Sequence, residues 1–563
     1  MFKYQLLKFL ILSMFFLTTV YSTNAQQWGD YTLYSTMNGT TTYLIDTNGT
    51  NFHTWTHTTA TKTGYSSYLL PGGVLLRTVA KSGNSFSGGP ICGQVQKVDY
   101  SGTVIWDFVY STTQYCTHHD VAPMPNGNVL LIAYERKTAS ETSAAGCTQS
   151  IEMWPDKIVE IEPVGTNGGN VVWEWHAWDH LVQNVDPLKA NYQTSIVNHP
   201  ELLNINYNTQ KDWLHMNGLS FNPILNQITW TSHNMSEIYV IDHSTTTAEA
   251  ASHSGGNSGK GGDILYRWGH PAAYSATGTQ ILNVTHDAHW NPEGVPNAGY
   301  LCAYNNKGIS SNASCADQVQ APLSGYNYTI TTGSAYLPAS YSIRQASGGY
   351  NSNMGNFQVL PNGNTLLCIA TAGVIKEFDA AGTLLWSKIA SGSVPKAFRY
   401  DSCYVFNTPP ALPLVSELND SLFSTPATTY QWYMNGQLIA GATDPVYVPT
   451  QDGIYIVRIT DTNGCVYRYS TDYHFTIATG INELNNGASI SIYPNPSNGV
   501  FQITGASQEM LYDIKVFDAL GKDLMDLKQR NSVNLTGYPH GIYFIRLTNN
   551  DQLITTRKIS LTN

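Results

Sequence analysis

"QVLPNGNTLLCIA", residues 358–370, is followed at 373–389 by "GVIKEFDAAGTLLWSKI". A short strand meets a Pro-Asn-Gly turn and an apolar strand follows. A third strand then runs through an acidic turn into a closing strand that carries Trp386. The same order recurs at 68–78 ("YLLPGGVLLRT") with 96–108 ("QKVDYSGTVIWDF"), and at 122–135 ("APMPNGNVLLIAYE") with 156–175 ("DKIVEIEPVGTNGGNVVWEW"). Degenerate copies lie at 218–244, closed by "DILYRWG", and at 289–308, while "TTYLIDTNGTNFHTWTH" at 41–57 supplies the last half of one more. About six units of four short strands are the signature of a β-propeller, so the expected class is all-β, with a six-bladed propeller over 27–405. The closing residues Trp106, Trp173 or Trp175, Trp268 and Trp386 share one slot and are expected to pack between neighbouring blades.

Outside the repeat the chain changes character. Residues 1–25, "MFKYQLLKFLILSMFFLTTVYSTNA", combine a Lys-bearing start, an apolar stretch and small residues before Ala25, which reads as a signal peptide. No later apolar run is long enough to span a bilayer. The proline-rich, uncharged "NTPPALPLV" (407–415) reads as a linker into an immunoglobulin-like module over 406–480, where Trp432 sits among alternating apolar and polar residues. The tail, 484–563, begins near "SIYPNPSNGVFQI" and ends "LTGYPHGIYFIRLTNNDQLITTRKISL". Its YPNP (493–496), GIYFIR (541–546) and Lys558 resemble the C-terminal sorting domain of type IX secretion, a small β-sandwich. That resemblance implies export through the periplasm to the cell surface or beyond, with the type IX machinery as partner.

A formal net charge of −11 over 563 residues, with no basic cluster, argues against nucleic acid or an anionic membrane as partner. The eight cysteines fall in a disulfide-permissive compartment. Cys302 and Cys315 are near enough in sequence to close a short loop, and Cys403 and Cys465 could pair across the second module. None has CxxC spacing, so no zinc ribbon or redox motif is expected.

Histidines keep a register against the turns. His119 lies six residues before Pro125 and His286 six before Pro292, while His215 lies eight before Pro223, which preserves the strand face. The same slot holds Tyr65 and Gly355 in two other units. Three consecutive blades therefore begin their inner strand with an imidazole, and such strand starts converge on the mouth of a propeller channel. His118, His176, His180, His243, His253 and His270 lack the register and read as surface or packing residues. Metal ligation by the trio is disfavoured, because Asp120 and Asp287 fall on the alternate face. "SGGNSGKGG" (254–262) imitates a phosphate loop, but Ser254 replaces the first required glycine and Gly261 follows Lys260.

"KDWLHMNGLSFNPILNQITWTSHNMSEIYVIDHSTTTAEAASHSGGNSGKGGDILYRWGHP", with "THDAHWNPEG" after it, resembles the PAPS-independent arylsulfotransferases. The resemblance implies an exported propeller that moves a sulfuryl group from a phenolic sulfate donor to a phenol acceptor, with no cofactor and no metal. It implies that His286 is the sulfurylated nucleophile, with His119 and His215 in support. The arginine that many members carry is replaced by His233. Tyr65, Asn217 and His289 are expected to contact substrate. Two rival readings stay open at this stage: a non-catalytic surface propeller that binds glycans or proteins, and a metal-dependent hydrolase or lyase.

Overall fold

A computed structural model of the chain describes residues 27–477, 490–504, 511–549 and 552–562; the expected signal peptide lies outside them. Between Tyr31 and Tyr400 stand six four-stranded antiparallel sheets in chain order, and these are the repeat units. Thr63–Leu70, Val74–Ala80, Gly93–Val98 and Val104–Val109 make the second sheet, and Tyr115–Pro123, Val129–Glu135, Asp156–Val164 and Gly168–His176 the third. Met216–Asn222, Gln227–Ser232, Glu237–Asp242 and Tyr266–Trp268 make the fourth. The fifth holds Thr285–Trp290, Leu301–Ser310, Ala313–Val319 and Ile343–Ala346; the sixth holds Asn356–Val359, Thr365–Ile369, Val374–Phe378 and Leu384–Ile389. The first sheet joins the two ends of this region. Ala397–Tyr400 pairs with Tyr31–Ser35, which leads to Thr41–Asp46 and Asn51–Thr56.

Each sheet shares a hydrophobic cluster with the next, and the sixth shares one with the first. The tryptophan slot explains much of this circuit. Trp55 donates its indole N–H to the Asp99 carbonyl, Trp106 to Gly168, Trp175 to Gly262 and Trp268 to Pro338, each in or beside the following sheet. A buried indole needs one acceptor, and a neighbour's main chain supplies it. Trp386 packs at the junction of the sixth and first sheets, with the Arg399 guanidinium over its ring.

The first strands of consecutive sheets lie against one another, and several of them bulge. Register shifts occur at 63–67, 117–121, 216–218 and 286–289. A bulge re-aims the side chains beside it. These four fall on the slots of Tyr65, His119, His215 and His286.

The same compact unit contains residues 422–447 and 453–474. There Thr429–Met434 pairs with Gly453–Thr460, and Trp432 is fully buried. Cys403 is disulfide-bonded to Cys465, as their spacing allowed. Cys302 and Cys315 are not bonded to each other, contrary to expectation. They lie on adjacent strands out of step, Cys302 opposite Gln318 and Cys315 opposite Asn305, so their sulfurs do not meet. Glu293, in the turn after the first strand of the fifth sheet, accepts from Tyr433 (2.6 Å), Tyr469 (2.8 Å) and Arg458 (2.6 Å) of this module.

The second unit consists chiefly of the tail, with residues 418–421 and 448–452 grouped with it. Ser491–Tyr493, Val500–Thr504 and Ser532–Asn534 form one sheet; Asp523–Arg530, Tyr512–Asp518, Gly541–Asn549 and Gln552–Leu561 form the other. Phe501, Ile503 and Val533 of the first meet Ile514, Val516, Ile545 and Ile559 of the second in one core. Asn495 of YPNP accepts from the Ser560 amide (2.8 Å) and donates to the Lys558 carbonyl (3.0 Å), which ties the motif to the final strand.

Candidate active site

Four imidazoles meet in one cavity of about 510 Å³. His119, His215, His233 and His286 line it together with Asp212, Asn234, Asn353 and Met354. Consecutive ring centres are 4.6 Å apart from His119 to His215, 5.0 Å from His215 to His233 and 5.5 Å from His233 to His286. His119, His215, Asp287 and Met354 have φ of 49°, 53°, 62° and 63°. Non-glycine residues rarely adopt this left-handed backbone, which typically costs on the order of 1 kcal/mol each and clusters at functional sites.

The hydrogen bonds fix what each ring presents. Asn306 donates through its amide nitrogen to the Asn351 and Met354 carbonyls, so its Oδ1 faces His286 Nδ1 at 2.7 Å as an acceptor. His286 therefore carries its proton on Nδ1, and its Nε2 lone pair accepts the Met354 amide N–H at 3.0 Å. His215 Nδ1 bonds the Asp212 carboxylate at 2.6 Å, and Tyr134 donates to the same oxygen. Burial is the main reason that His286, His119 and His233 are held below the usual histidine range, with the neighbouring imidazoles adding to it. These three rings are neutral at neutral pH. Burial raises the Asp212 carboxyl, but its bond to His215 outweighs that and holds it below the ordinary value.

His119 is backed by a relay. Its Nδ1 lies 2.8 Å from His118 Nδ1, and His118 Nε2 lies 2.7 Å from Asp156 Oδ1. His118 stacks on Tyr134 at 3.7 Å and is wholly buried. It is thus a member of the site rather than a bystander. Burial pushes His118 down to about 3 and raises the Asp156 carboxyl well above its ordinary value. The pair shares one proton instead of existing as an ion pair.

Beneath the imidazoles lies an ionic node. Lys396 Nζ is 2.6 Å from Asp120 Oδ2, 2.7 Å from Asp287 Oδ1 and 3.2 Å from the Tyr68 hydroxyl. The same two carboxylates accept the amides of Leu219 and Phe357. All six first strands meet here, because Tyr68, Asp120, Leu219, Asp287 and Phe357 belong to sheets two to six, and Lys396 directly precedes Ala397–Tyr400 of the first. Burial lowers the ammonium pKa, but the two carboxylates outweigh it and hold Lys396 above the usual lysine value.

Tyr65 is buried, with its ring edge-on to His119 at 5.0 Å. Asn217 donates to the Thr285 carbonyl of the fifth sheet (2.9 Å) and accepts from Thr231 within its own sheet (2.7 Å), so both its polar groups are engaged. His289 lies beyond the bulge, with Nδ1 3.0 Å from the Asp287 carbonyl and its ring against Phe357. The sequence reading missed His118, Asp156, Asp212, Asn306, Met354 and Lys396. Only Asp212, three residues before His215 in "DWLH", and His118, adjacent to His119, left a local trace.

An arylsulfotransferase (ASST) family model matches residues 17–393, and a secretion system C-terminal sorting domain model matches 491–562. No curated protein sequence matches the chain significantly. Solved structures give distant likenesses. A protein of unknown function from Bacteroides caccae is 11% identical over 66% of this chain and 98% of its own, with a TM-score of 0.36. The periplasmic gluconolactonase PpgL of Pseudomonas aeruginosa is 12% identical over 66% and 98%, also with a TM-score of 0.36. Among the described residues no helix is long and apolar enough to cross a membrane. The chain belongs to the arylsulfotransferase family and ends in a type IX secretion sorting domain, which sends it to the cell surface or out of the cell.

Proposed function

We propose that the six sheets are the blades of a β-propeller, that residues 406–480 form an immunoglobulin-like module, and that the imidazole cavity transfers a sulfuryl group from a phenolic sulfate ester to a phenol without a nucleotide donor. The observation that carries this reading is the lone pair on His286 Nε2, fixed by Asn306 on the far side of the ring and directed at the cavity wall. A neutral imidazole is a competent nucleophile at neutral pH. His286 Nε2 attacks sulfur, the N–S bond forms, the S–O(aryl) bond breaks and a phenolate leaves. The acceptor phenol oxygen then attacks the same sulfur and releases His286.

The remaining residues take roles from their contacts. The Met354 amide caps Nε2 in the resting chain, so donor binding displaces that contact, and the same N–H then faces a sulfuryl oxygen. His215 and His233 contact the other oxygens, where fixed donors count most as charge develops. His119 gives its Nε2 proton to the departing phenolate. His118 Nδ1–H replaces that proton, Asp156 replaces the His118 proton, and Asp156 is left as a carboxylate. The second half-reaction reverses the relay and takes the proton of the acceptor phenol.

The test uses the full chain with a chromogenic aryl sulfate, with and without a phenol. Phenol release should depend on the acceptor. His286→Asn should abolish donor cleavage and transfer, whereas His119→Asn and His215→Asn should slow turnover by roughly a hundred to a thousand fold. Brief exposure to donor alone should add one sulfuryl mass to the peptide spanning 286–290. Wild-type transfer by His286→Asn, or a label on another histidine, overturns the assignment.

A further inference from the structure

The glycine-rich segment that imitates a phosphate loop is bracketed by His253 and Asp263, and both face a third residue from elsewhere in the chain. His180 follows the last strand of the third sheet and is fully buried, stacked parallel to Trp175 at 5.5 Å. Its Nε2 is 2.8 Å from the Ala250 carbonyl. A carbonyl only accepts, so Nε2 carries a proton and Nδ1 is the nitrogen left to bind something else. Nδ1 lies 2.9 Å from Asp263 Oδ1, and His253 Nδ1 lies 2.7 Å from the same oxygen. All three atoms fall within 4.8 Å of one another.

The loop is shaped to make this approach. Gly261 has φ of 58°, and a Cβ there would come 2.4 Å from the Ser252 carbonyl oxygen. A Cβ on Gly262 would come 1.9 Å from the Ala250 carbonyl oxygen and 2.7 Å from His180 Nε2. Only glycine lets the chain double back this tightly and set Asp263 between the two imidazoles.

We infer that His180, His253 and Asp263 form a binding site for a divalent cation of the zinc class, separate from the imidazole cavity. Two ring nitrogens and one carboxylate oxygen are a borderline donor set that suits Zn²⁺ and its transition-metal neighbours, not Ca²⁺ or Mg²⁺, with a water completing the tetrahedron. The Ala250 carbonyl plays the outer part that orients most metal-binding histidines, bonding the ring N–H opposite the ligating nitrogen. The buried His180 supplies a fixed ligand, and His253, whose side chain is 63% exposed, leaves a path for the ion. A bound ion would pin the loop at 253–263 to the segment that follows the third sheet.

The rival occupant is a proton, which would make His180 an imidazolium paired with Asp263. Chelator-stripped full-length protein is titrated with Zn²⁺ against a chromogenic competitor, and with Co²⁺ in the visible. The site should take up about one equivalent and give the intense d–d bands of four-coordinate cobalt. His253→Ala and Asp263→Asn should each weaken uptake by roughly tenfold or more, and His233→Ala should leave it unchanged. His253 is exposed, so its variant should fold, which circular dichroism checks. Failure to bind a stoichiometric ion overturns the proposal, and so does an ion retained by His253→Ala but lost by His233→Ala. Neither outcome bears on sulfuryl transfer, which has its own assay.

Discussion

A lysine ammonium between two buried carboxylates is stable only as a set. Replacing Lys396 with Met strips Asp120 of its ammonium and leaves Asp287 only His289, 3.3 Å away, as a counter-charge. Loss of one partner from such a group typically costs about 3–5 kcal/mol, so Lys396→Met should unfold at markedly lower urea than the parent. Asp156 makes a finer test. In Asp156→Asn the new side-chain amide can still donate to His118 but cannot release a proton into the relay. Turnover of esters of weakly acidic phenols should fall by about a hundredfold, while esters of acidic nitrophenols should be little affected. A merely structural role for Asp156 would slow both alike, so the dependence on leaving-group acidity decides. At this scale the sequence was legible only where chemistry and register coincide. His119, His215 and His286 announced themselves by their distance from a turn proline. His233 entered through family resemblance. Lys396, Asn306 and the Met354 amide were hidden, because each acts on a partner far along the chain or acts through its main chain.

Strands place these residues, and the strands of the third sheet carry a charge device of their own. His176, on the last strand, lies 3.1 Å from Glu135 of the second strand and 3.3 Å from Glu174. Burial works against its charge, but the two carboxylates win and raise it from 6.5 to about 9. A group raised on folding stabilises fully below its unfolded value, and that contribution disappears as pH climbs through the folded one. The window is therefore pH 6.5 to 9, and the contribution is at most on the order of 3 kcal/mol. Thermal stability should decline across that window, and His176→Gln should flatten the decline. The alternating strands, their turns and the tryptophan slot could be read directly, since period-two patterning and Pro/Gly turns are local signals. The bulges could not. They arise where six inner strands crowd together, and no single repeat contains that information.

On the scale of the whole chain, the tail is an address and the six sheets carry the arylsulfotransferase-family region. Deleting 484–563 should leave aryl sulfate turnover intact in purified protein while the protein accumulates in the periplasm of a host with type IX secretion. Surface delivery of the truncated chain would refute this assignment. The strand pairing has a further consequence, for the order of folding. Tyr31–Ser35 pairs early with Thr41–Asp46 on one side, but its other edge is filled only by Ala397–Tyr400, so the first-made strand of the circuit waits with an open edge until almost the last is available. Lys396 sits one residue before that partner and bonds Asp120 and Asp287. The segment that shuts the ring is thus the segment that neutralises its centre. The two events are linked, so a chain halted short of residue 396 lacks the ammonium for Asp120 and Asp287 as well as the strand that completes the first sheet. Quality control of this protein can therefore turn on one late, all-or-none step.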